Sequence, residues 1–186
     1  MRKALIDSHL TKLHDSFGAT QPPVDCDQLE HLFRLRDIAG MLVCIAKTLH
    51  VHARLRLGIV DSGGPPTAPA WVSHTCNLAP YGTEAFRQTL VTVYVRRTFL
   101  QESDFDTVAA AIAHELSHVI LNSTGHPLRK HEEAVDLTAM ILGFRDIFVT
   151  GCHNTLRLDK DTVVDIRRGY LSREELMYAA RAMTCL

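Results

Sequence analysis

The chain has 186 residues, of which 46% are hydrophobic and 22% are charged, and its formal net charge is −1. This length and composition are typical of one globular domain that buries its own core, so we predict a single domain over residues 1–186. The lysines and arginines are scattered along the chain, which argues against the strongly basic surface of proteins that bind nucleic acid or an anionic membrane.

Cysteine usage and hydropathy bear on the cellular compartment. The five cysteines are odd in number, widely spaced and without a C-x-x-C pair, which favours reduced thiols over a disulfide framework. The N-terminal stretch has no continuous apolar segment of the kind found in secretory signals. The most apolar stretch, "IAGMLVCIAKTLH", contains Lys47 and is shorter than the roughly 20 residues that span a bilayer. We therefore predict a soluble, cytoplasmic protein without a membrane span.

The first half of the chain predicts helices followed by strands. Residues 1–27 predict a short helix and a proline-containing loop, and apolar residues spaced three and four apart predict one amphipathic helix over 28–50. Alternating residues predict a strand over 51–60, and a second short strand is predicted within "AWVSHTCNL" (70–78). The clearest strand is 89–97, "TLVTVYVRR", which is rich in β-branched and aromatic residues.

In the second half the spacing of apolar residues becomes helical. One predicted helix covers "DTVAAAIAHELSHVILN", with Asp106 or Ser103 as its N-cap, and another covers about 128–143. A last helix, "SREELMYAARAM", begins at Ser172 with a glutamate three residues on, which is the pattern of a capping box. Helices therefore dominate this half of the chain.

The most informative stretch is "AIAHELSHVI" (111–120), which contains an H-E-x-x-H motif. Residues four apart on a helix lie about 6 Å apart along its axis and on one face, so His114 and His118 can point at one metal ion. Glu115 projects about 100° away and can reach a water molecule on that ion. The motif thus predicts two zinc ligands and a general base. The competing interpretation is an alanine-rich core helix that carries these residues by chance.

A catalytic zinc ion usually has three protein ligands, and the segment "HEEAVDLTAMILG" supplies candidates for the third. Glu132 and Asp136 share one face of the predicted helix, which a short loop brings back antiparallel to the H-E-x-x-H helix. Glu132 could complete the zinc site, and Asp136 could accept the other ring N–H of a ligand histidine. Glu133, His131 and His126 are the alternatives to Glu132.

These motifs together resemble the glutamate-zincin peptidases. "TVYVRRTFLQESDFDTVAAAIAHELSHVIL" followed by "EEAVDLTAMILGF" is most similar to the HtpX and CAAX-protease type, and less similar to the ImmA/IrrE type. The resemblance covers about residues 89–144. It implies an α+β, zincin-like fold, in which a small mixed β-sheet packs against the H-E-x-x-H helix and a following E-x-x-x-D helix, with additional N- and C-terminal helices.

The resemblance also implies roles for individual residues. It assigns Zn²⁺ binding to His114, His118 and Glu132, makes Glu115 the catalytic base, and gives Asp136 the task of supporting a ligand histidine. The implied function is a soluble zinc metalloendopeptidase that hydrolyses a protein or peptide substrate. The membrane spans of the HtpX and CAAX-protease type are missing, so a membrane substrate is not implied. The alternative is a non-catalytic, zinc-stabilised regulatory or protein-binding domain that retains the fold.

In zincins the substrate commonly lies extended along an edge strand, and "VTVYV" (91–95) is the segment expected to play this part here. An oxyanion donor would come from elsewhere in the chain. His153, Arg167 and Tyr170 in the tail are candidates, and we assign the role to none of them.

Overall fold

The computed structural model describes residues 1–66, 68–73, 77–151, 153–157, 163–167 and 169–185, with the backbone alone for 153–157, 163–167 and Cys185. The α-helices are α1 (Lys3–Phe17), α2 (Cys26–Arg34), α3 (Ile38–Thr48), α4 (Glu84–Gln88), α5 (Arg97–Glu102), α6 (Phe105–Ser123), α7 (Glu132–Ala139), α8 (Arg145–Gly151) and α9 (Arg173–Ala182). The β-strands are β1 (Arg54–Val60), β2 (Ala70–Val72), β3 (Leu90–Arg96), β4 (His153–Arg157) and β5 (Val163–Arg167). A π-helical turn, Met140–Phe144, joins α7 to α8, and a 3₁₀ turn, Met183–Cys185, follows α9. The fold is therefore of the α+β class, as predicted.

Three strands form one sheet in the order β1-β3-β2, and β4 pairs with β5 in a separate antiparallel hairpin. β1 runs parallel to β3, with Leu57 opposite Val93, whereas β2 runs antiparallel to β3, with Trp71 opposite Tyr94. β3 is therefore the central strand, and the expectation that residues 91–95 form the edge is wrong. A strand rich in buried β-branched residues suits a central position, where both sides are covered. The edge strand that contacts α6 is β2.

α6 lies at the centre of the molecule, where it contacts α2, α3, α7, α8, β2 and β3. Its fully buried apolar side chains are Val108, Ala109, Ile112, Ala113, Leu116, Val119 and Leu121. Three half-buried residues, His114, Glu115 and His118, lie in the middle of the helix. The H-E-x-x-H motif thus occupies the part of a core helix that solvent can reach.

The helix predicted over 28–50 is two helices, α2 and α3. Between them Arg36 has a φ of 59°, in the left-handed region, which interrupts a right-handed helix. Asp37 then caps α3, because its carboxylate accepts the N–H of Gly40 at 2.8 Å. The three–four spacing of apolar residues continues across this break, which is why the spacing alone predicts one helix.

The N-caps of α6 and α9 follow the sequence signals to different degrees. Ser172 caps α9 in a capping box, as predicted. α6 is capped by Asp104, whose carboxylate accepts the N–H of Thr107 at 3.0 Å, and not by Asp106 or Ser103. Three acceptor side chains stand within four residues of one another here, and the sequence does not rank them.

The helix predicted over 128–143 begins later and ends earlier than expected. Residues 127–130 form turns, in which the ring Nδ1 of His126 accepts the N–H of Leu128 at 3.1 Å, so that α7 starts only at Glu132. At the other end Gly143 has a φ of 107°, where the chain turns into α8. A Cβ at this position would lie 2.7 Å from a backbone carbonyl oxygen, so the bend requires glycine.

Cys26 and Cys44 are the cysteines whose side chains the structure describes, and both are half-buried free thiols. Cys76, Cys152 and Cys185 lie outside the described side chains. Among the described residues, no helix is both long enough and apolar enough to cross a lipid bilayer.

Candidate metal centre

His114, His118 and Glu132 point three possible ligand atoms at one another. The Nε2 atoms of the two histidines are 3.1 Å apart, and Oε2 of Glu132 lies 3.4 Å from the first and 3.2 Å from the second. The histidines stand on consecutive turns of α6, and the glutamate is the first residue of α7. Within the described part of the chain, these residues are the group of histidine, cysteine and acidic side chains that could hold a metal ion.

The spacing of these atoms fits a tetrahedral metal ion. Metal–ligand bonds of about 2.0–2.1 Å place the corners of a tetrahedron about 3.3–3.4 Å apart, close to the 3.1–3.4 Å found here. Oε2 of Glu132 is buried and makes no hydrogen bond. Two imidazole nitrogens that face each other at 3.1 Å can share at most one proton. A cation between the three atoms would satisfy all of them at once.

Asp136 contacts His114 at Nδ1, the ring nitrogen that does not face the other two candidate ligands. Its side chain is 2% exposed, and its Oδ1 lies 2.7 Å from Nδ1 of His114. A carboxylate in this position favours the tautomer with the proton on Nδ1, which leaves Nε2 free to bind a metal. The second oxygen, Oδ2, accepts the backbone N–H of Tyr170 at 3.1 Å. The buried carboxylate is thus hydrogen-bonded through both of its oxygens.

Glu115 lines the cleft together with the candidate ligands and reaches the edge strand β2. Its Oε2 accepts the backbone N–H of Val72 in β2 at 3.1 Å. Burial raises the pKa of Glu115, although His114 and His118 act in the opposite direction. A half-buried carboxylate beside the candidate metal ligands, held in place by a backbone donor, is suited to proton transfer with a molecule bound in the site.

The electrostatics of the cluster favour positive charge. Burial lowers the pKa of His114, but its hydrogen bond with Asp136 and the nearby carboxylate of Glu132 outweigh burial and raise the pKa to about 10. The two histidines in turn hold the pKa of Glu132 well below its usual range. The two carboxylates beside His114, those of Glu132 and Asp136, give the site a negative potential that would attract a divalent cation.

The alternative third ligands lie elsewhere. Glu133 points away from the histidines and pairs with the guanidinium of Arg2. His126 is 5% exposed and belongs to the turn before α7. The ring of His131 packs against another imidazole, with the two centroids 5.3 Å apart. The structure therefore brings Glu132, and not these three residues, to the H-E-x-x-H motif.

A cleft of about 730 Å³ opens beside the cluster and extends along α6 toward its N-terminus. Ala110 and Ala111 line the cleft, and their small side chains leave space for a ligand above α6. Phe99 and Phe148 contribute apolar walls, and Tyr170 lies at the end of the cleft beside His114. An apolar cavity that ends in a few convergent polar groups is the usual form of a binding site.

Another wall of the cleft is the proline-rich segment before β2, and Arg96 holds it in place. The guanidinium donates to three backbone carbonyls, those of Gly63, Pro65 and Ala68, at 2.8–3.0 Å. It also lies over the ring of Trp71, 5.3 Å from the centroid. The three hydrogen bonds cross from β3 to this segment and the ring contact crosses to β2, so Arg96 orders this wall of the cleft in advance of ligand binding.

Tyr170 is a site residue to which the sequence assigned no role. Its ring stacks on the imidazole of His114, with centroids 5.7 Å apart and planes 17° apart, while its N–H binds Asp136. It lies 34 residues beyond Asp136, outside both motifs, so no periodic signal connects it with them. The side chains of His153 and Arg167, the other residues considered with it, are outside the described part of the chain.

Comparisons of the chain with protein-family profiles, with curated proteins and with solved structures found no match. The chemistry of the site is therefore argued from the geometry of its residues.

Proposed function

We propose that this chain is a zinc-dependent metallopeptidase of the glutamate-zincin type. The observation that supports the proposal most directly is the triangle of His114, His118 and Glu132, with ligand atoms 3.1–3.4 Å apart. Glu115 stands beside this triangle on the cleft side, and Asp136 holds one of its histidines. Such a peptidase needs three metal ligands, a general base and a carboxylate that supports a ligand histidine.

Zinc is the metal that best suits the donor atoms. Two imidazole nitrogens and one carboxylate oxygen are a common ligand set of catalytic zinc, whereas calcium and magnesium prefer oxygen ligands alone. Three protein ligands leave one position of a tetrahedron for water or substrate. When bound there, zinc would lower the pKa of a water molecule and polarise the carbonyl of a peptide bond.

Glu115 is the proposed general base. Its carboxylate takes a proton from the attacking water as the new C–O bond forms, and then passes that proton to the amine nitrogen as the C–N bond breaks. The N–H of Val72 holds one carboxylate oxygen, which fixes the direction in which the other points. Asp136 keeps the proton of His114 on Nδ1, so Nε2 stays directed at the metal.

The edge of β2 that faces away from β3 is the proposed binding site for an extended peptide. Pro69 and Ser73 bond β3 through their C=O and N–H groups, so by strand alternation the groups of Ala70 and Val72 point away from β3. The bond from Val72 N–H to Glu115 shows that this side faces the H-E-x-x-H helix. A peptide added here would place its backbone next to the base, and its recognition would depend little on its sequence.

The first test is metal content. We expect about one zinc ion per purified chain by elemental mass spectrometry, and loss of this zinc in Glu132→Ala. Glu133→Ala is the matched control, since it removes the neighbouring carboxylate and should still bind one zinc ion when zinc is in excess. A wild-type chain that takes up no zinc would refute the proposal, and loss of zinc in Glu133→Ala alone would move the third ligand to that residue.

The second test separates a peptidase from a zinc-stabilised binding domain. Glu115→Gln keeps an oxygen that can accept the Val72 N–H but cannot take a proton, so it should bind zinc and lack activity. Both zinc-loaded proteins would be incubated with a peptide library derived from a whole proteome, and new termini counted by mass spectrometry. New termini with the wild type alone support the peptidase. No new termini with either protein, at full zinc occupancy, favour the binding domain.

A further inference from the structure

Arg2 joins three parts of the chain next to the metal centre. Its Nε and Nη2 atoms donate to both carboxylate oxygens of Glu175 in α9, at 3.0 and 3.1 Å, and its backbone N–H donates to Oε1 at 3.1 Å. Glu175 is in turn fixed by the capping box at Ser172, and its side chain is 6% exposed. Arg2 is therefore anchored on a buried carboxylate, although its own side chain is 42% exposed.

The anchored guanidinium reaches the segment that carries Tyr170. Nη2 of Arg2 donates to the carbonyl oxygen of Tyr170 at 3.0 Å, while the N–H of the same tyrosine donates to Asp136 at 3.1 Å. The tyrosine ring stacks on His114. Tyr170 thus contacts His114 with its ring and Asp136 with its N–H. Arg2 in turn binds the carbonyl oxygen of Tyr170.

Arg2 also reaches the start of α7, where its Nη1 pairs with Glu133. The neighbouring residue, Glu132, is the third ligand and the first residue of the helix. His131 occupies the N-cap position but makes no side-chain capping bond, so this end of α7 lacks the usual side-chain support. The ion pair with Arg2 supplies a support from outside the helix.

We propose that Arg2 is a positioning residue of the metal centre, which holds Glu132 and the Tyr170–Asp136 pair in their metal-binding arrangement. The proposal rests on the metal centre described above and adds a requirement for the N-terminal segment. Preorganised ligands bind a metal more tightly than ligands that must be ordered on binding, so removal of the guanidinium weakens metal affinity and leaves the ligands themselves unchanged.

The test compares zinc affinity in the wild-type chain, Arg2→Ala and Arg87→Ala. Arg87 forms an ion pair with Glu84 within the short helix α4, so its replacement removes a matched surface guanidinium. Affinity would be measured by competition with a chromogenic chelator, well below the melting temperature of each protein. We expect Arg2→Ala to bind one zinc ion about tenfold more weakly, at the low end for groups that support metal ligands, and Arg87→Ala to match the wild type.

The visible spectrum of the Co²⁺-substituted proteins separates positioning from a general loss of stability. Displaced ligands change the intensity and position of the cobalt bands, whereas a merely less stable protein with an intact site keeps them. An Arg2→Ala protein with a lower melting temperature but wild-type zinc affinity and cobalt spectrum would overturn the proposal. If that variant does not fold, Arg2→Lys replaces it, because one ammonium group cannot reach all three acceptors, and the same two outcomes apply. Absence of zinc from the wild type would instead refute the metal centre itself.

Discussion

Asp136→Asn exchanges one carboxylate oxygen for an NH₂ group, and so tests whether the Asp136 carboxylate holds His114 in its metal-binding form. Both carboxylate oxygens accept hydrogen bonds, one from Nδ1–H of His114 at 2.7 Å and the other from the N–H of Tyr170 at 3.1 Å. Asparagine offers one oxygen and one NH₂ group, so in either orientation one pair of donors faces each other. The side chain is 2% exposed, so water cannot relieve this conflict.

The two orientations of the amide have different consequences. If the NH₂ group faces His114, the imidazole proton moves to Nε2, and the atom directed at the metal loses its lone pair. If it faces Tyr170, the segment that stacks on the histidine is displaced. Loss of such a partner typically weakens metal binding 10- to 100-fold, which corresponds to about 1.4–2.7 kcal/mol. The extra stability that saturating zinc gives to the fold should fall by the same amount.

Chelator competition at neutral pH gives the zinc dissociation constants of the wild type and Asp136→Asn. Urea unfolding with and without zinc gives the second, independent value. Asp146→Asn is the matched control, since this carboxylate is 60% exposed and pairs with its neighbour Arg145 on the surface. A zinc affinity in Asp136→Asn within twofold of the wild type would contradict the argument that this residue fixes the tautomer of His114.

Two further predictions concern stability. Arg2 holds the pKa of Glu175 at about 2, below its ordinary value of 4.5, so the pair stabilises the fold fully above about pH 4.5 and loses this contribution as the pH falls toward 2. After allowance for solvent screening, urea unfolding should show that Glu175→Gln lowers the free energy of unfolding by about 1–2 kcal/mol near pH 6 and by clearly less near pH 3.5. A difference between the two proteins that stays constant with pH would contradict the predicted loss of the Glu175 contribution at low pH. Asp37→Ala removes the N-cap bond to Gly40 and should cost about 1 kcal/mol, or about 2–4 °C in Tm, whereas exposed Asp15→Ala should cost almost nothing.

The ligand set could be proposed from the sequence because each of its pairs is local. His114 and His118 are four residues apart on one helix, as are Glu132 and Asp136 on the next, and helical geometry puts each pair on one face. The short connection between α6 and α7 limits where the second pair can lie. Neither statement depends on residues far away in the chain, so both can be derived without coordinates.

The features that the sequence did not predict depend on distant contacts. The β-branched and aromatic residues of β3 predict a strand, but its place between β1 and β2 depends on two segments that pair with it from opposite sides. The break at Arg36 is an exception to this, because it depends on the backbone conformation of one residue, which leaves the apolar spacing unchanged. Arg2 lies 131 residues from Glu133 and 173 from Glu175, and no spacing in the sequence relates residues so far apart.

The burial of Asp136 itself argues for a role beyond the fold. Asp136 is only 1% exposed, and its neighbours on α7, Val135 and Leu137, are fully buried, so the carboxylate is almost completely removed from solvent. Burial of a charged group costs several kcal/mol, and well-packed apolar side chains often stabilise a core as much as a buried ion pair or more. Stability alone would therefore favour apolar residues at both Asp136 and His114. Their presence is explained if the pair directs an imidazole nitrogen at a metal ion, which is the role that the geometry supports.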